Sequence, residues 1–290
     1  MFVFKAAVVG AGTMGGEIAQ VIASAGIPVV LKDVKQEFVE LGLKKAREVT
    51  GAQLANLVNK QKITQEQADA QAAEILGRIH GTTEYEGFGD VDFVVEAVPE
   101  RMQIKQAVFA ELDAVTPGHA ILSSNTSALS ISEMGEATSR PDKVVGFHFF
   151  WPASMMRLIE VIEGEETSDE TLQTAANFAQ AIRKTPVRCA ECPGFVVNRI
   201  LTSTASEIWR YQDETGASPE AVDAHIKEQA GMPMGVFEVA DMSGLDTVVK
   251  VARDMREHYG DRFYVHKGME EMVERGELGA KSGKGFYEHA

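Results

Sequence analysis

Apolar residues arrive in short runs, separated by longer stretches in which they recur every three or four positions. Residues 4–9, 28–34, 91–98, 120–124, 144–150 and 158–162 form the short runs and read as buried strands. Residues 17–25, 102–115 and 169–183 carry helical spacing. Residues 36–76 are rich in Ala, Lys, Gln and Glu and predict a hairpin of two helices broken near Lys62-Ile63-Thr64. Thr64, followed three residues later by Gln67, predicts a capping box at the second of them. Strand, crossover helix and strand in succession imply a mostly parallel sheet covered on both faces. Past Pro193-Gly194 no run suits a central strand, whereas residues 195–213, 219–229 and 247–259 suit helices. The expectation is an α/β domain over residues 1–189, with the helical hairpin as an insertion, followed by an all-α domain over 190–290.

Gly10-Ala11-Gly12-Thr13-Met14-Gly15 lies between the first predicted strand and the first predicted helix, the context in which G-x-G-x-x-G has a mechanism. The first glycine permits the tight turn, the second lets the backbone approach a pyrophosphate, and the third lets helix and strand pack closely. The amides at the helix start, aided by its dipole, attract the phosphates. Asp33 follows 18 residues after Gly15, at the end of the second apolar run. A carboxylate there accepts hydrogen bonds from a ribose diol and repels a 2′-phosphate, which favours NAD over NADP. The first domain is therefore expected to be a Rossmann-type doubly wound sheet that binds NAD through Gly10, Gly12, Thr13, Met14, Gly15 and Asp33.

The chain has 290 residues, 44% hydrophobic and 24% charged, proportions that argue against disorder. Its net charge of −15 repels a phosphate backbone and excludes nucleic-acid binding over a broad surface. An anionic ligand then needs a local basic patch or a helix N-terminus. No apolar run approaches the ~18 residues of a membrane span. Residues 1–5 lack the basic region and cleavage site of a secretory leader. Two cysteines, Cys189 and Cys192, are too few for a disulfide scaffold, so a cytoplasmic protein is expected. Their C-x-x-C spacing does not supply a tetrahedral zinc site, and the histidines other than His148 show no metal spacing.

Two polar residues interrupt apolar strands. His148 lies within Val144-Val145-Gly146-Phe147-His148-Phe149-Phe150, where a neutral imidazole can exchange protons near pH 7. Glu160 lies twelve residues on, in Leu158-Ile159-Glu160-Val161-Ile162. A carboxylate inside an apolar strand needs a partner. If the two runs are neighbours, Glu160 holds one ring N–H of His148, fixes its tautomer and stabilises the imidazolium.

At this point the residues resemble a known family. Gly10 to Gly15, Glu96-Ala97-Val98-Pro99-Glu100 with Lys105, Ser124-Asn125-Thr126-Ser127, and His148-Phe149-Phe150 with Glu160 occur in the order found in the L-3-hydroxyacyl-CoA dehydrogenases. So do Pro193-Gly194-Phe195-Val196-Val197-Asn198-Arg199, Pro233-Met234-Gly235, Gly244-Leu245-Asp246 and Lys281-Ser282-Gly283-Lys284-Gly285-Phe286-Tyr287. The resemblance implies reversible hydride transfer from C3 of a (3S)-hydroxyacyl-CoA to NAD⁺, in fatty-acid β-oxidation or butanoate metabolism. It implies that His148 removes the hydroxyl proton, that Glu160 orients it, and that Ser127 and Asn198 bond the substrate oxygen. It assigns Glu100, Lys105 and Ser127 to the cofactor near its nicotinamide ribose, and Lys281 to a tail that reaches back to the cofactor. It also implies a helical second domain that closes over a cleft and forms a homodimer, and a chain that stands alone or is part of a multifunctional polypeptide. Lys44, Lys45 and Arg47 follow Asp33 on its helix and either attract the CoA phosphates or form a solvated face.

One departure concerns Trp151, which stands before Pro152 where the family usually has Asn. It reads either as a wall of the acyl pocket or as a core aromatic. Two other functions remain open: a sugar-acid (gulonate-type) dehydrogenase on the same fold, and a non-catalytic scaffold.

Overall fold

The computed structural model describes residues 2–289, and its contacts divide the chain into two units, Met1–Cys192 and Pro193–Ala290. In the first unit, β1 (Ala6–Val9) leads into α1 (Thr13–Ser24), and β2 (Val29–Lys32) follows. The helical hairpin is α2 (Gln36–Asn59) and α3 (Gln65–Gly77). Thr64 caps α3 with the expected box: its hydroxyl accepts from the Gln67 N–H at 3.2 Å, and Gln67 Oε1 accepts from the Thr64 N–H at 2.9 Å. The chain continues through β3 (Ile79–Thr82), β4 (Phe93–Glu96), α4 (Met102–Val115), β5 (Ile121–Ser124) and α5 (Ile131–Gly135). It then runs through β6 (Val144–Phe149), β7 (Leu158–Glu163), α6 (Asp169–Ala181) and β8 (Thr185–Ala190).

The eight strands form one sheet in the order β3-β2-β1-β4-β5-β6-β7-β8. Neighbours pair in parallel except β6 and β7, which run antiparallel. Every residue of β1, β2, β4 and β5 is buried. Helices on both faces remove the alternation that a half-exposed sheet would show, which is why these strands read as continuous apolar runs. The carboxyl ends of the parallel strands share one edge, so Val9, Lys32, Glu96 and Ser124 end side by side, and β6 runs three residues further to Phe149. The order reverses between β1 and β4, the usual position of a ligand crevice.

Two strands escape the apolar pattern. β3, Ile-His-Gly-Thr, and β8, Thr-Pro-Val-Arg-Cys-Ala, close the two edges of the sheet. An edge strand needs only one hydrogen-bonded neighbour and tolerates Pro186 and polar residues.

The second unit contains α7 (Val197–Thr215), α8 (Pro219–Ala230), α9 (Val236–Ser243), α10 (Leu245–Tyr259) and α11 (Lys267–Glu274). α9 and α11 are only eight residues each and were too short to stand out as periodic segments. Trp209, Phe237, Leu245, Val249 and Met269 anchor its core. Two buried carboxylates tie down the C-terminal strap. Asp241 accepts from the N–H groups of Phe286 (3.0 Å) and Tyr287 (2.9 Å), and Asp223 accepts from the Tyr287 hydroxyl at 2.8 Å. Among the described residues no helix is long and apolar enough to cross a membrane, and no cluster of His, Cys, Asp and Glu could hold a metal ion.

Candidate active site

The glycine turn is held by close backbone approaches. Gly10 has φ +100°, and a Cβ there would lie 2.5 Å from the Ala97 carbonyl oxygen. A Cβ on Gly15 would lie 1.7 Å from the Gly10 carbonyl oxygen, so strand end and helix cannot separate enough to admit one. Gly12 is different: a Cβ there would meet nothing within 4 Å. No side chain caps α1 at Gly12. The space above it leaves room for a pyrophosphate to approach the first-turn amides, and the fit to a dinucleotide rests on this cradle. Thr13 is exposed, and Met14 is half-buried against the core.

Asp33 lies just past the end of β2. Its Oδ2 accepts from the Ala11 N–H at 2.7 Å, and its Oδ1 from the Val34 N–H at 2.7 Å. The carboxylate thus fixes the glycine turn, and its remaining lone pairs can serve a ribose diol. Beside it Lys32 is buried, with its ammonium 4.3 Å from the centroid of the Tyr85 ring. That placement turns this cation into a packing element.

A buried charge network closes the end of β4. Lys105 on α4 is 1% exposed, and its ammonium lies 2.8 Å and 3.0 Å from the two oxygens of Glu96 and 3.2 Å from Glu100. Glu96 also accepts from the Val98 N–H and the Ser124 hydroxyl, both at 2.6 Å. Glu100 accepts from the Thr126 hydroxyl at 2.5 Å and the Ser127 N–H at 3.0 Å. Burial pushes the Glu100 carboxyl up, but the Lys105 ammonium and these hydrogen bonds outweigh it and hold it below the usual range. Glu100, Lys105 and Ser127 are therefore brought together, and the network fixes the loop that carries Ser127. Glu96 carries in the sequence the same signal as Glu160, a carboxylate in an otherwise apolar strand.

β6 and β7 place His148 directly opposite Glu160. Phe147 and Phe149 point to the opposite face, where Phe147 packs with Phe93 and Phe178 in the core. The imidazole Nδ1 is 2.8 Å from Glu160 Oε2, and both side chains are buried. Phe150 packs beside the imidazole, with ring centroids 4.5 Å apart. Asn125 Oδ1 accepts from the Phe149 N–H at 2.8 Å and ties the loop after β5 to the end of β6.

Other candidate residues lie on α2 or within the second unit. Lys44 is exposed on α2, 3.9 Å from Glu48, and Lys45 is half-buried. Asn198 lies in the first turn of α7. Lys281 bonds Asp246 Oδ1 at 2.8 Å and the Thr247 hydroxyl at 3.0 Å, all within the second unit. Gly244 makes room for it, since a Cβ there would lie 2.3 Å from Lys281 Cε. Trp151 is 57% exposed, which removes the core-aromatic reading.

Residues 5–192 match the NAD binding domain of 3-hydroxyacyl-CoA dehydrogenase, and residues 194–289 match the C-terminal domain of the same enzyme. The chain belongs to the 3-hydroxyacyl-CoA dehydrogenase family. It is 42% identical over 286 residues to a probable 3-hydroxybutyryl-CoA dehydrogenase of Deinococcus radiodurans, covering 98% of this chain and 100% of that relative. The fatty acid oxidation complex subunit alpha of a Psychrobacter species is 41% identical over 289 residues, which span 98% of this chain but 38% of that subunit. The solved structure of (S)-3-hydroxybutyryl-CoA dehydrogenase from Ralstonia eutropha superposes with a TM-score of 0.91 at 36% identity, covering 99% of each chain. Family membership makes this chain an NAD-dependent oxidoreductase.

Proposed function

We propose that the protein interconverts (3S)-3-hydroxyacyl-CoA and 3-ketoacyl-CoA, with His148 as the catalytic base. The observation that carries this reading is the 2.8 Å contact between His148 Nδ1 and Glu160 Oε2. A carboxylate accepts, so the Nδ1 atom donates and the neutral ring carries its lone pair on Nε2. That nitrogen takes the substrate's hydroxyl proton as the C3–H bond breaks and the C3=O double bond forms. The buried Glu160 carboxylate then stabilises the imidazolium. Bound NAD⁺ supplies the hydride acceptor. The open backbone at Gly12, with Thr13, Met14 and Asp33, supports assigning it to the edge where His148 stands. Ser127 and Asn198 bond the substrate oxygen in this reading, and the Glu100–Lys105 pair holds the Ser127 loop in place. Lys281 is assigned to the cofactor in this reading, with its ammonium bonded to Asp246.

Relatives named for 3-hydroxybutyryl-CoA and for fatty-acid oxidation support a CoA-ester substrate in either pathway. The same reading makes the protein a cytoplasmic homodimer, checked by light scattering of the purified chain. The decisive assay follows NADH absorbance with acetoacetyl-CoA, with a sugar acid such as gulonate tested against NAD⁺. Turnover of the ester supports the proposal. Turnover of the sugar acid alone, or of neither, overturns it.

A further inference from the structure

The loop between β6 and β7 presents an unusual amount of apolar surface. Trp151 is 57% exposed, Met155 76% and Met156 43%. The segment is nevertheless well anchored. Glu17, buried in the first turns of α1, accepts from both the N–H and the hydroxyl of Ser154 at 3.1 Å. Lys184, buried beyond the end of α6, donates to the carbonyls of Ala153 and of Met156, the latter at 2.7 Å. Two buried side chains of opposite charge, one on α1 and one in the turn between α6 and β8, thus clamp residues 153–156, and the loop's apolar side chains project from a fixed backbone.

This surface continues from the catalytic strand. Phe150 packs against the His148 ring, and Trp151 follows it. Trp151 stands three positions beyond His148, a span of at most ~11 Å. In the dehydrogenase reading, C3 of the substrate lies at His148. The carbons beyond C3 form an alkyl tail that needs apolar surface within a few bond lengths of the imidazole. We propose that Trp151, Met155 and Met156 form an acyl-chain rim that receives this tail and sets the preference for chain length. The inference rests on the dehydrogenase reading and deepens it. The occupant is the tail because it is covalently tied to the carbon on which His148 acts. Methionine side chains adapt to tails of different length, and the indole offers a rigid flat wall.

The test is a series of 3-ketoacyl-CoA esters with four to twelve acyl carbons, reduced with NADH by the wild type, W151A and the M155A/M156A double variant. Burying a methylene contributes about fourfold to kcat/KM. In the wild type, kcat/KM should therefore rise with chain length over the first several methylenes. In each variant the ratio of kcat/KM for the ten-carbon ester to that for acetoacetyl-CoA should fall at least ~tenfold. A ratio that stays at the wild-type value overturns the rim, as does one that rises because the indole had been closing the pocket. A wild type inactive on every ester sinks the dehydrogenase reading itself, a different result. Thermal melts of both variants should lie near the wild type, because all three side chains are largely exposed. A collapsed melt for W151A leaves the double variant to decide.

Discussion

His148 and Glu160 face each other across an antiparallel strand pair, with Nδ1 2.8 Å from Oε2 and Glu160 only 1% exposed. The pair depends on register. A slip of one residue in either strand would turn its member of the pair to the wrong face. H148Q should lower kcat by about 10²–10⁴-fold, the usual contribution of a positioned base. E160Q keeps an acceptor for the Nδ1 proton and loses only the charge, so its kcat should fall less. NADH binding, followed by fluorescence titration, should survive in both. Near-normal turnover by H148Q would remove the histidine from the mechanism.

Lys105 and Glu96 make a different kind of pair. Both are fully buried, and the carboxylate has no water to turn to if the ammonium is lost. K105M should cost about 3–5 kcal/mol of stability, because it leaves an uncompensated charge in the interior. Adding E96Q to K105M should recover part of that loss. Chemical denaturation of the two variants measures it, and equal midpoints for K105M and wild type would contradict the burial.

The glycine turn separates fold from ligand. A Cβ at position 12 meets nothing within 4 Å, whereas one at position 15 meets a carbonyl oxygen at 1.7 Å. G12A should keep the wild-type melting temperature and weaken NADH binding, since the methyl group enters the space a pyrophosphate needs. G15A should lower the melting temperature. Calorimetric titration together with thermal melts distinguishes the two, and undiminished binding by G12A would move the phosphates elsewhere.

His266 caps α11. Its Nδ1 accepts from the Met269 N–H at 3.0 Å, and its Nε2 donates to Gln212 Oε1 at 2.7 Å. The Nδ1 bond requires the neutral ring, whereas the Nε2 bond survives protonation. Burial lowers its pKa, with Asp213 partly opposing. The unfolded chain therefore binds the proton more readily, and stability falls as pH drops from the ordinary histidine value toward the lowered one. H266A should cost about 1–2 kcal/mol, as loss of a cap does. It should also remove this part of the acid sensitivity, while H266N should retain the cap and lose the pH dependence. Denaturant titrations between about pH 5 and 8 bracket the ordinary histidine value and read it.

Local chemistry was enough to locate much of this protein. The glycine turn and Asp33 are read from spacing, because tight turns and close approaches restrict residue type at single positions. His148 and Glu160 stand out as polar groups in runs that must be buried. The break at Thr64 is a cap, which needs only four residues of sequence. For Glu160 the sequence stated that a partner is needed and offered His148 if the two runs are neighbours; for Glu96 it named none. That the two runs are neighbours in the right register, and that Lys105 on α4 reaches Glu96, follows from the fold. The same holds for Lys281, whose ammonium is bonded to Asp246, and for Glu17 and Lys184, which clamp a loop from α1 and from the turn after α6. The edge strands β3 and β8 were invisible for the opposite reason. One neighbour and partial exposure leave their composition nearly unconstrained, so only the packed sheet decided that they are strands.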